Sequence, residues 1–326
     1  MHIEEREMST LKKIADVVGC SVATVSRAMN NCHDVSEQTR KRVIEVAKSL
    51  GYYERKKRIK IENRKKNEFN IAIICPEVES DYYASLIICF SRILSKDNHR
   101  TIIYNYAFDD KEQERLIEMC KDACNIDGII CLGKTKNKVN YRDVAMVRCA
   151  QQPGKYSMFS ENNTGGIDEA IRSLGNKKGQ SVLFVGEEKT GNRETDFFSV
   201  VKNYSNIKAK RFVSRERFER AGYEAAEYVA SFEKLPSMII CAYDEIAYGL
   251  IEALSKKGIS VPSDVSVIGI NDIPSAKYCF GGLSSIAYEL EDVCEKIVAE
   301  LLENIKNGTS IHSAFSFPSK FIKRNT

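Results

Sequence analysis

Seven short apolar runs, rich in β-branched residues and spaced by amphipathic stretches, constrain this chain more than any other feature. They are Ile71–Cys75, Thr101–Tyr104, Gly128–Leu132, Ala145–Val147, Ser181–Val185, Ser237–Cys241 and Val265–Ile270. Helical patterns lie between them, for example over Tyr83–Ser95, Glu112–Cys124, Gly165–Leu174, Arg217–Phe232 and Asp244–Lys257. Such alternation argues for parallel sheet wrapped by helices, because parallel strands need long crossovers and are covered on both faces. Seven runs over roughly 250 residues overfill one doubly wound sheet. Two lobes are therefore expected, with a ligand in the cleft at the carboxyl ends of the strands.

The first fifth of the chain obeys a different rule. Residues 1 to 66 hold 16 Lys+Arg against 9 Asp+Glu, a net of +7, while the remaining residues hold 33 against 36, a net of −3. The positive charge belongs to the N-terminal segment, which points to a polyanionic partner for that segment alone. Thr10 is placed to cap a helix whose buried face is Leu11, Ile14, Ala15 and Val18. Gly19-Cys20-Ser21 breaks it, and Ser21 caps a second short helix with Val22, Val25 and Met29 inward. Its other face carries Ala23, Thr24, Ser26, Arg27 and Asn30, small or hydrogen-bonding groups suited to bases and phosphates. A third helix starts at Ser36, turns Val43, Ile44, Ala47 and Leu50 inward, and stops at Gly51. The spacing predicts a helix-turn-helix; a plain three-helix bundle fits it too.

The wording of this segment decides between them. Thr10-Leu-Lys-Lys-Ile-Ala-Asp-Val-Val-Gly-Cys-Ser-Val-Ala-Thr-Val-Ser-Arg-Ala-Met-Asn30 resembles the opening of the LacI/GalR repressor family. Val35-Ser-Glu-Gln-Thr-Arg-Lys-Arg-Val43 and Leu50-Gly-Tyr52 continue the match in register. The resemblance implies a second helix in the major groove, with base reading by Val22, Ala23 and Arg27. It implies phosphate contacts by Thr10, Ser21, Thr24, Ser26 and Asn30. An arginine there can fork to the O6 and N7 of a guanine, or serve as a phosphate contact or a solvated charge. The basic run Arg55 to Lys66 then reads either as a solvated tether or as a hinge helix entering the minor groove. The family's hinge usually reads Pro-Asn, then Ala-Arg, then a Leu wedge. Here Glu54 and Arg55 stand for Pro-Asn, Arg58-Ile59 for Ala-Arg, and Ile61 falls at the wedge position, where an apolar side chain can kink a duplex.

The resemblance extends over the larger part, through Ile71-Ala-Ile-Ile-Cys-Pro76, Asp127-Gly-Ile-Ile130, Val261-Pro-Ser-Asp264, Val265-Ser-Val-Ile-Gly-Ile-Asn-Asp272 and the closing Pro318-Ser-Lys-Phe-Ile-Lys-Arg324. It implies an α/β chain: a three-helix, helix-turn-helix headpiece (1–53), a linker (54–68) and a two-lobed, type I periplasmic-binding-protein-like domain with parallel sheets (69–326). It further implies a homodimer on pseudo-palindromic operator DNA, modulated by a small-molecule effector. Tyr82 and Tyr83 fall where the family places cleft aromatics, which stack on sugar rings or purines, although Tyr83 also fits a packing role. Arg193 matches a cleft arginine that grips a hydroxyl or carboxylate, with Asp196 in place of an expected Gly. Glu161 stands for an acidic partner that is otherwise missing, and Asn271 for a common effector-binding Asp. Asp244 is either a ligand group or a helix cap. Arg217 or Phe218 takes the place of a stacking aromatic, and Tyr243 replaces an Asn. With these departures and no Trp, a sugar is the first expectation; a purine, a phosphorylated metabolite or no small molecule are the others.

Several classes are set aside. The start of the chain has no apolar signal region and no run is long enough to span a bilayer, so a cytoplasmic bacterial protein is expected, nucleoid-associated when on DNA. Eleven scattered cysteines, including Cys75, Cys131 and Cys241, read as reduced buried hydrophobes. Cys120 and Cys124 lack a second pair for zinc. The histidines (His2, His33, His99, His312) form no metal or nucleophile motif, and Gly165-Gly166 reads as a helix entry. No cofactor, metal or enzymatic activity is expected. The alternative to an operator-binding regulator is an intracellular ligand-binding protein with a non-specific basic tail.

Overall fold

The computed structural model describes residues 11–29, 35–52, 67–123, 125–133, 144–149, 158–175, 179–188, 190–308 and 314–326. They fall into two units, the change coming between Phe69 and Asn70.

The first unit is helical: α1 over residues 11–18, α2 Val22–Met29 and α3 Glu37–Ser49. Each of the last two starts on a serine cap. Thr24 N–H donates to Ser21 Oγ at 3.0 Å, and Thr39 N–H to Ser36 Oγ at 3.2 Å, satisfying amides that a helix start otherwise leaves open. Gly19 makes the α1–α2 turn at φ +78°, a left-handed conformation that favours glycine. The core is small: Ile14, Ala15, Val25, Ala28, Val35, Val43, Ala47 and Tyr52. Leu11, Val18, Val22 and Met29 are only half-buried against it. Leu50, expected inward, is exposed. The α-helix ends at Ser49, Leu50 becomes its C-cap, and Tyr52 takes the core place beyond the turn.

The second unit holds two six-stranded sheets, each filling one lobe. In lobe 1 the order is β11-β5-β4-β3-β1-β2, all parallel: β1 Asn70–Cys75, β2 Arg100–Asn105, β3 Gly128–Leu132, β4 Ala145–Cys149, β5 Met158–Asn162 and β11 Ala314–Pro318. In lobe 2 the order is β12-β10-β9-β8-β6-β7: β6 Gln180–Glu187, β7 Ile207–Ser214, β8 Met238–Cys241, β9 Ser266–Ile270, β10 Ser284–Ala287 and β12 Lys320–Ile322. Only β12 runs antiparallel to its neighbour. The helices are α4 Asp81–Lys96, α5 Asp110–Asp122, α6 Thr164–Arg172, α7 Arg193–Val201, α8 Glu219–Ala230, α9 Asp244–Lys256 and α10 Leu290–Asn307. The chain crosses between lobes three times: after β5, after β10 and after β11.

The seven apolar runs correspond to β1, β2, β3, β4, β6, β8 and β9. Central β1 and β3 are buried on both faces, where each isoleucine contributes roughly 1.5–3 kcal/mol. In lobe 2, α8 and α9 cross at two glycines. A Cβ on Gly222 would lie 2.2 Å from Ile246 O, and one on Gly249 would lie 2.0 Å from Glu219 O. That close approach sets the starts of α8 and α9 side by side at the carboxyl edge of the sheet. Nine cysteines among the described residues are free, and burial pushes the thiol pKa of Cys75 and Cys120 up to about 11. No group of described His, Cys, Asp or Glu residues forms a metal site. No described helix is long and apolar enough to cross a membrane.

Candidate functional site

The carboxyl ends of the strands in both lobes face one cavity of about 390 Å³. Aromatic rings supply much of its wall: Tyr82 and Tyr83 from the first turn of α4, Tyr106 and Phe108 after β2, Phe218 before α8, and Tyr243 before α9. Ser80 caps α4 and so aims its first turn into the cavity.

At the centre lies Arg193, the first residue of α7, only 2% exposed. Its Nη2 donates to Glu161 Oε2 at 3.2 Å and to Asn271 Oδ1 at 2.8 Å. Its guanidinium carbon sits 4.7 Å from the ring centre of Tyr243 and 5.8 Å from that of Tyr82, within cation–π reach. Tyr82 Oη donates to Glu161 Oε1, and Tyr288 Oη donates to Tyr82 Oη at 3.5 Å. Burial alone would lower the pKa of Arg193, but Glu161 and the surrounding tyrosines hold it above the ordinary range. Burial, reinforced by Glu161, pushes Tyr82 and Tyr288 up. The arginine therefore stays charged and the phenols stay neutral. Glu161 belongs to lobe 1 and Arg193 to lobe 2, so this pair bridges the cleft.

A second bridge lies at Arg217. Its Nη1 and Nη2 donate to the two oxygens of Glu77 at 2.9 and 3.1 Å, and its Nε donates to Glu187 Oε1 at 3.2 Å. Glu77 follows β1 in lobe 1; Arg217 and Glu187 belong to lobe 2. The guanidinium also covers Phe218 at 4.3 Å and Phe108 at 5.1 Å. Phe218 adopts φ +54° and ψ −131°, a conformation that costs of order 1–3 kcal/mol and persists only where neighbours impose it. Its N–H is held by Glu187 Oε2 at 3.3 Å. Phe108 and Asn271, at φ +59° and +114°, are also left-handed cavity residues.

Five of the six residues expected to hold a ligand meet here: Tyr82, Tyr83, Glu161, Arg193 and Asn271 all line the cavity. Asp244 does not. It is fully buried; its Oδ2 accepts Ile273 N–H at 2.8 Å and its Oδ1 accepts Ser285 Oγ–H at 2.6 Å. A Cβ on Gly269 would overlap it at 1.9 Å. Asp244 fastens the start of α9 to the strands beside it, and the expectation of a ligand role is corrected. It is not the cap either: Tyr243 holds that position, with no side-chain cap bond. Asp196 is likewise occupied, accepting from the backbone and side chain of Asn163. The one-residue ambiguity at 217 and 218 resolves to both residues lining the cavity.

Sequence reasoning missed Glu77, Glu245 and Tyr288 in the lining. Glu245, next to Asp244 on α9, is 9% exposed, and its Oε2 has no hydrogen-bond partner. Burial, with nearby Asp244, Asp81 and Glu219, raises its pKa to about 7. Its adjacency to the singled-out Asp244 was the available signal.

In the helical unit, Ser21, Ala23 and Arg27 are exposed and Val22, Thr24 and Ser26 half-buried. Ser21 Oγ is also 2.8 Å from Thr24 Oγ1. Thr10, Asn30 and Ile61 lie outside the described residues.

The fold and site together define a DNA-binding regulator built from a helix-turn-helix and a periplasmic-binding-protein-like domain. Residues 10–54 match the bacterial regulatory proteins of the lacI family, and residues 172–326 match the periplasmic binding protein-like domain. The chain is 27% identical over 314 residues to the HTH-type transcriptional repressor PurR of Glaesserella parasuis, covering 92% of this chain and 91% of the relative. It superposes on the lac repressor dimer bound to operator and the anti-inducer ONPF with a TM-score of 0.68 at 17% identity, covering 96% of this chain and 97% of that one. A LacI family regulator from Enterococcus faecium with bound ribose aligns with a TM-score of 0.66 at 21% identity, covering 78% of this chain and 97% of that one. Residues 10–54 thus carry the lacI-family regulatory signature, and the relatives aligned over most of the chain are transcriptional regulators.

Proposed function

We propose that this protein is a sequence-specific transcriptional repressor that binds a pseudo-palindromic operator as a homodimer and takes a small-molecule effector, a sugar first among the candidates, in the cleft between its lobes. The observation that carries the reading is the pair of ion bridges, Glu161–Arg193 and Glu77–Arg217, each joining one lobe to the other across an aromatic cavity. A ligand entering there competes with or completes these bridges and so changes lobe closure. Any ligand that binds the two closure states unequally must shift DNA affinity by the same free energy. The aromatic walls suit a ring, and two buried donors, Arg193 Nε and Asn271 Nδ2, are without partners, which suits hydroxyl acceptors. Base reading falls to Val22, Ala23 and Arg27 and phosphate contact to Ser21, Thr24 and Ser26, with Thr10, Asn30 and the Ile61 wedge as further candidates. The protein acts in the bacterial cytoplasm, with domains at 1–53, 54–68 and 69–326.

The test is selection of DNA from a random pool by the full chain, followed by anisotropy titration of the winner in rising salt. A palindromic consensus bound at least about a thousandfold tighter than random duplex is expected. Binding that is salt-sensitive but indifferent to sequence would replace the repressor by a ligand-binding protein with a basic tail.

A further inference from the structure

We propose that the cleft selects a ring-bearing effector that carries a protonated amine, seated against Glu245, and rejects anionic ligands of the same shape. This deepens the effector reading above and rests on it.

Charge is the first argument. The described lining holds Glu77, Asp110, Glu161, Glu188 and Glu245 against only Arg193 and Arg217, with neither lysine nor histidine. Both guanidiniums are already committed to carboxylates, Arg193 to Glu161 and Arg217 to Glu77 and Glu187. An incoming carboxylate or phosphate would have to displace one of these bridges and then face the freed acid, a repulsive element that discriminates strongly.

The second argument is an orphan. Glu245 is more than nine-tenths buried, lines the cavity, and its Oε2 accepts from nothing. A buried acceptor without a donor is costly. The charged groups that do most to raise its pKa are Asp244 on its own helix, Asp81 on α4 and Glu219 on α8, while its own backbone N–H opposes them. A hydroxyl could donate to Oε2 but would leave the negative charge where it is. An ammonium donates and neutralises at once. Tyr243 and Phe218, with ring centres 6.2 Å apart, line the same cavity; each already carries a guanidinium on one face, which leaves the ring edges and opposite faces to pack against a ligand ring. Arg193 Nε and Asn271 Nδ2, the unpartnered donors, remain for hydroxyl or ring oxygens.

The pKa of Glu245, raised to about 7 chiefly by burial, supplies a signature. Seating an ammonium must draw the proton off that carboxyl, so affinity rises as pH climbs through neutrality.

The experiment uses the full chain and two sets that share a ring and differ in charge: benzylammonium, benzyl alcohol and benzoate; and D-glucosamine, D-glucose and D-glucuronate. Affinities are measured by titration calorimetry at pH 6 and pH 8, with thermal shift as a second readout. The ammonium member of at least one set is expected to bind about tenfold or more tighter than its partners, that is by about 1.4 kcal/mol. Benzylammonium binding tightens from pH 6 to pH 8, and the preference disappears in Glu245→Gln. That variant keeps the side-chain size and removes a buried carboxylate whose Oε2 has no donor, so its unliganded melting temperature at pH 8 should rise; near-UV dichroism of the tyrosines checks its packing. Equal or tighter binding of the neutral or anionic members in both sets, a preference that survives Glu245→Gln, or binding of none of the six would overturn the proposal. Should glucose or glucuronate bind best and alter operator affinity while benzylammonium shows no preference over its partners, the effector cleft stands and the charge selection falls.

Discussion

The two units put polar side chains to opposite uses. Helix α2 and its capping serine leave Ser21, Ala23 and Arg27 exposed over a core of eight side chains. The cleft buries Arg193 and Glu245, and half-buries Glu161, within a far larger apolar frame. Solvated groups cost little to keep and little to remove, so such a surface can change what it contacts without endangering its fold. Buried charges are expensive to leave unpaired, so the cleft can change only in matched pairs or against a ligand. The lesson is that recognition and stability are separable in the first unit and entangled in the second.

The hardest blow to that contrast is Arg193→Met. It leaves the half-buried Glu161 opposite no guanidinium, and the loss expected is about 3 kcal/mol, the low end for a broken buried pair. Urea unfolding followed by tyrosine fluorescence measures it, since the chain has 15 Tyr and no Trp. A loss under about 1 kcal/mol would mean that water reaches the pair and that the cleft behaves like the surface.

A directional effect of at most that size comes from pH. Burial raises Glu245 from 4.5 to about 7 and Asp244 from 3.8 to about 6. The folded state therefore holds protons that the unfolded chain releases in these windows. Stability falls as pH rises from about 4 to about 7 and then levels. At roughly 1.4 kcal/mol per unit, Glu245 contributes up to about 3 kcal/mol of the fall. Glu245→Gln flattens the upper part of the curve, which calorimetric melting between pH 5 and 8 would show. An unchanged slope in that variant would place the titration elsewhere.

The same contrast explains what could be read in advance. The helix-turn-helix was legible because its logic is local: caps at Ser21 and Ser36, a turn at Gly19, and apolar residues at helical spacing. Leu50 misled because register alone does not reveal that the helix stops one residue earlier. Among the strands, those buried on both faces announced themselves as apolar runs. Strand β7, Ile207–Ser214, did not: it is an edge strand carrying Lys208, Lys210 and Arg211, a pattern that guards an edge and hides the strand. Strand β10 is short and begins with two buried serines. Helix α10 keeps Val293, Ile297, Leu301 and Ile305 on one face, but its charges masked the stripe. In the cleft, Arg193 and Glu161 were legible only through family resemblance. Glu77, Glu245 and Tyr288 were not, because their meeting depends on the lobes and the crossings, which no local pattern encodes.

On the exposed side, Arg27→Ala separates reading from folding. If Arg27 forks to a guanine, operator affinity falls by about 1–3 kcal/mol. Affinity for random duplex should fall by no more than one phosphate contact and the salt slope by about 1. Melting should move by less than about 0.5 kcal/mol, as for exposed positions generally. A parallel loss on both DNAs would make Arg27 a phosphate anchor and shift base reading to Val22 and Ala23.

The smallest expected effect tests whether even the exposed unit is free of entanglement. Ser21 has two duties in this scheme: it caps α2 through Thr24 N–H at 3.0 Å, and it is a proposed phosphate contact. Ser21→Ala removes both, costing about 1 kcal/mol of stability along with some DNA affinity, and so cannot tell them apart. Ser21→Asp can. Aspartate caps a helix as well as serine does, and its charge suits a helix start, so calorimetric melting should match the parent. The same charge beside a phosphate is repulsive, so anisotropy titration should show weakened binding to operator and random duplex alike. If Ser21→Asp melts like the parent and binds like it too, Ser21 is a cap alone, and the phosphate contacts must come from Thr24 and Ser26.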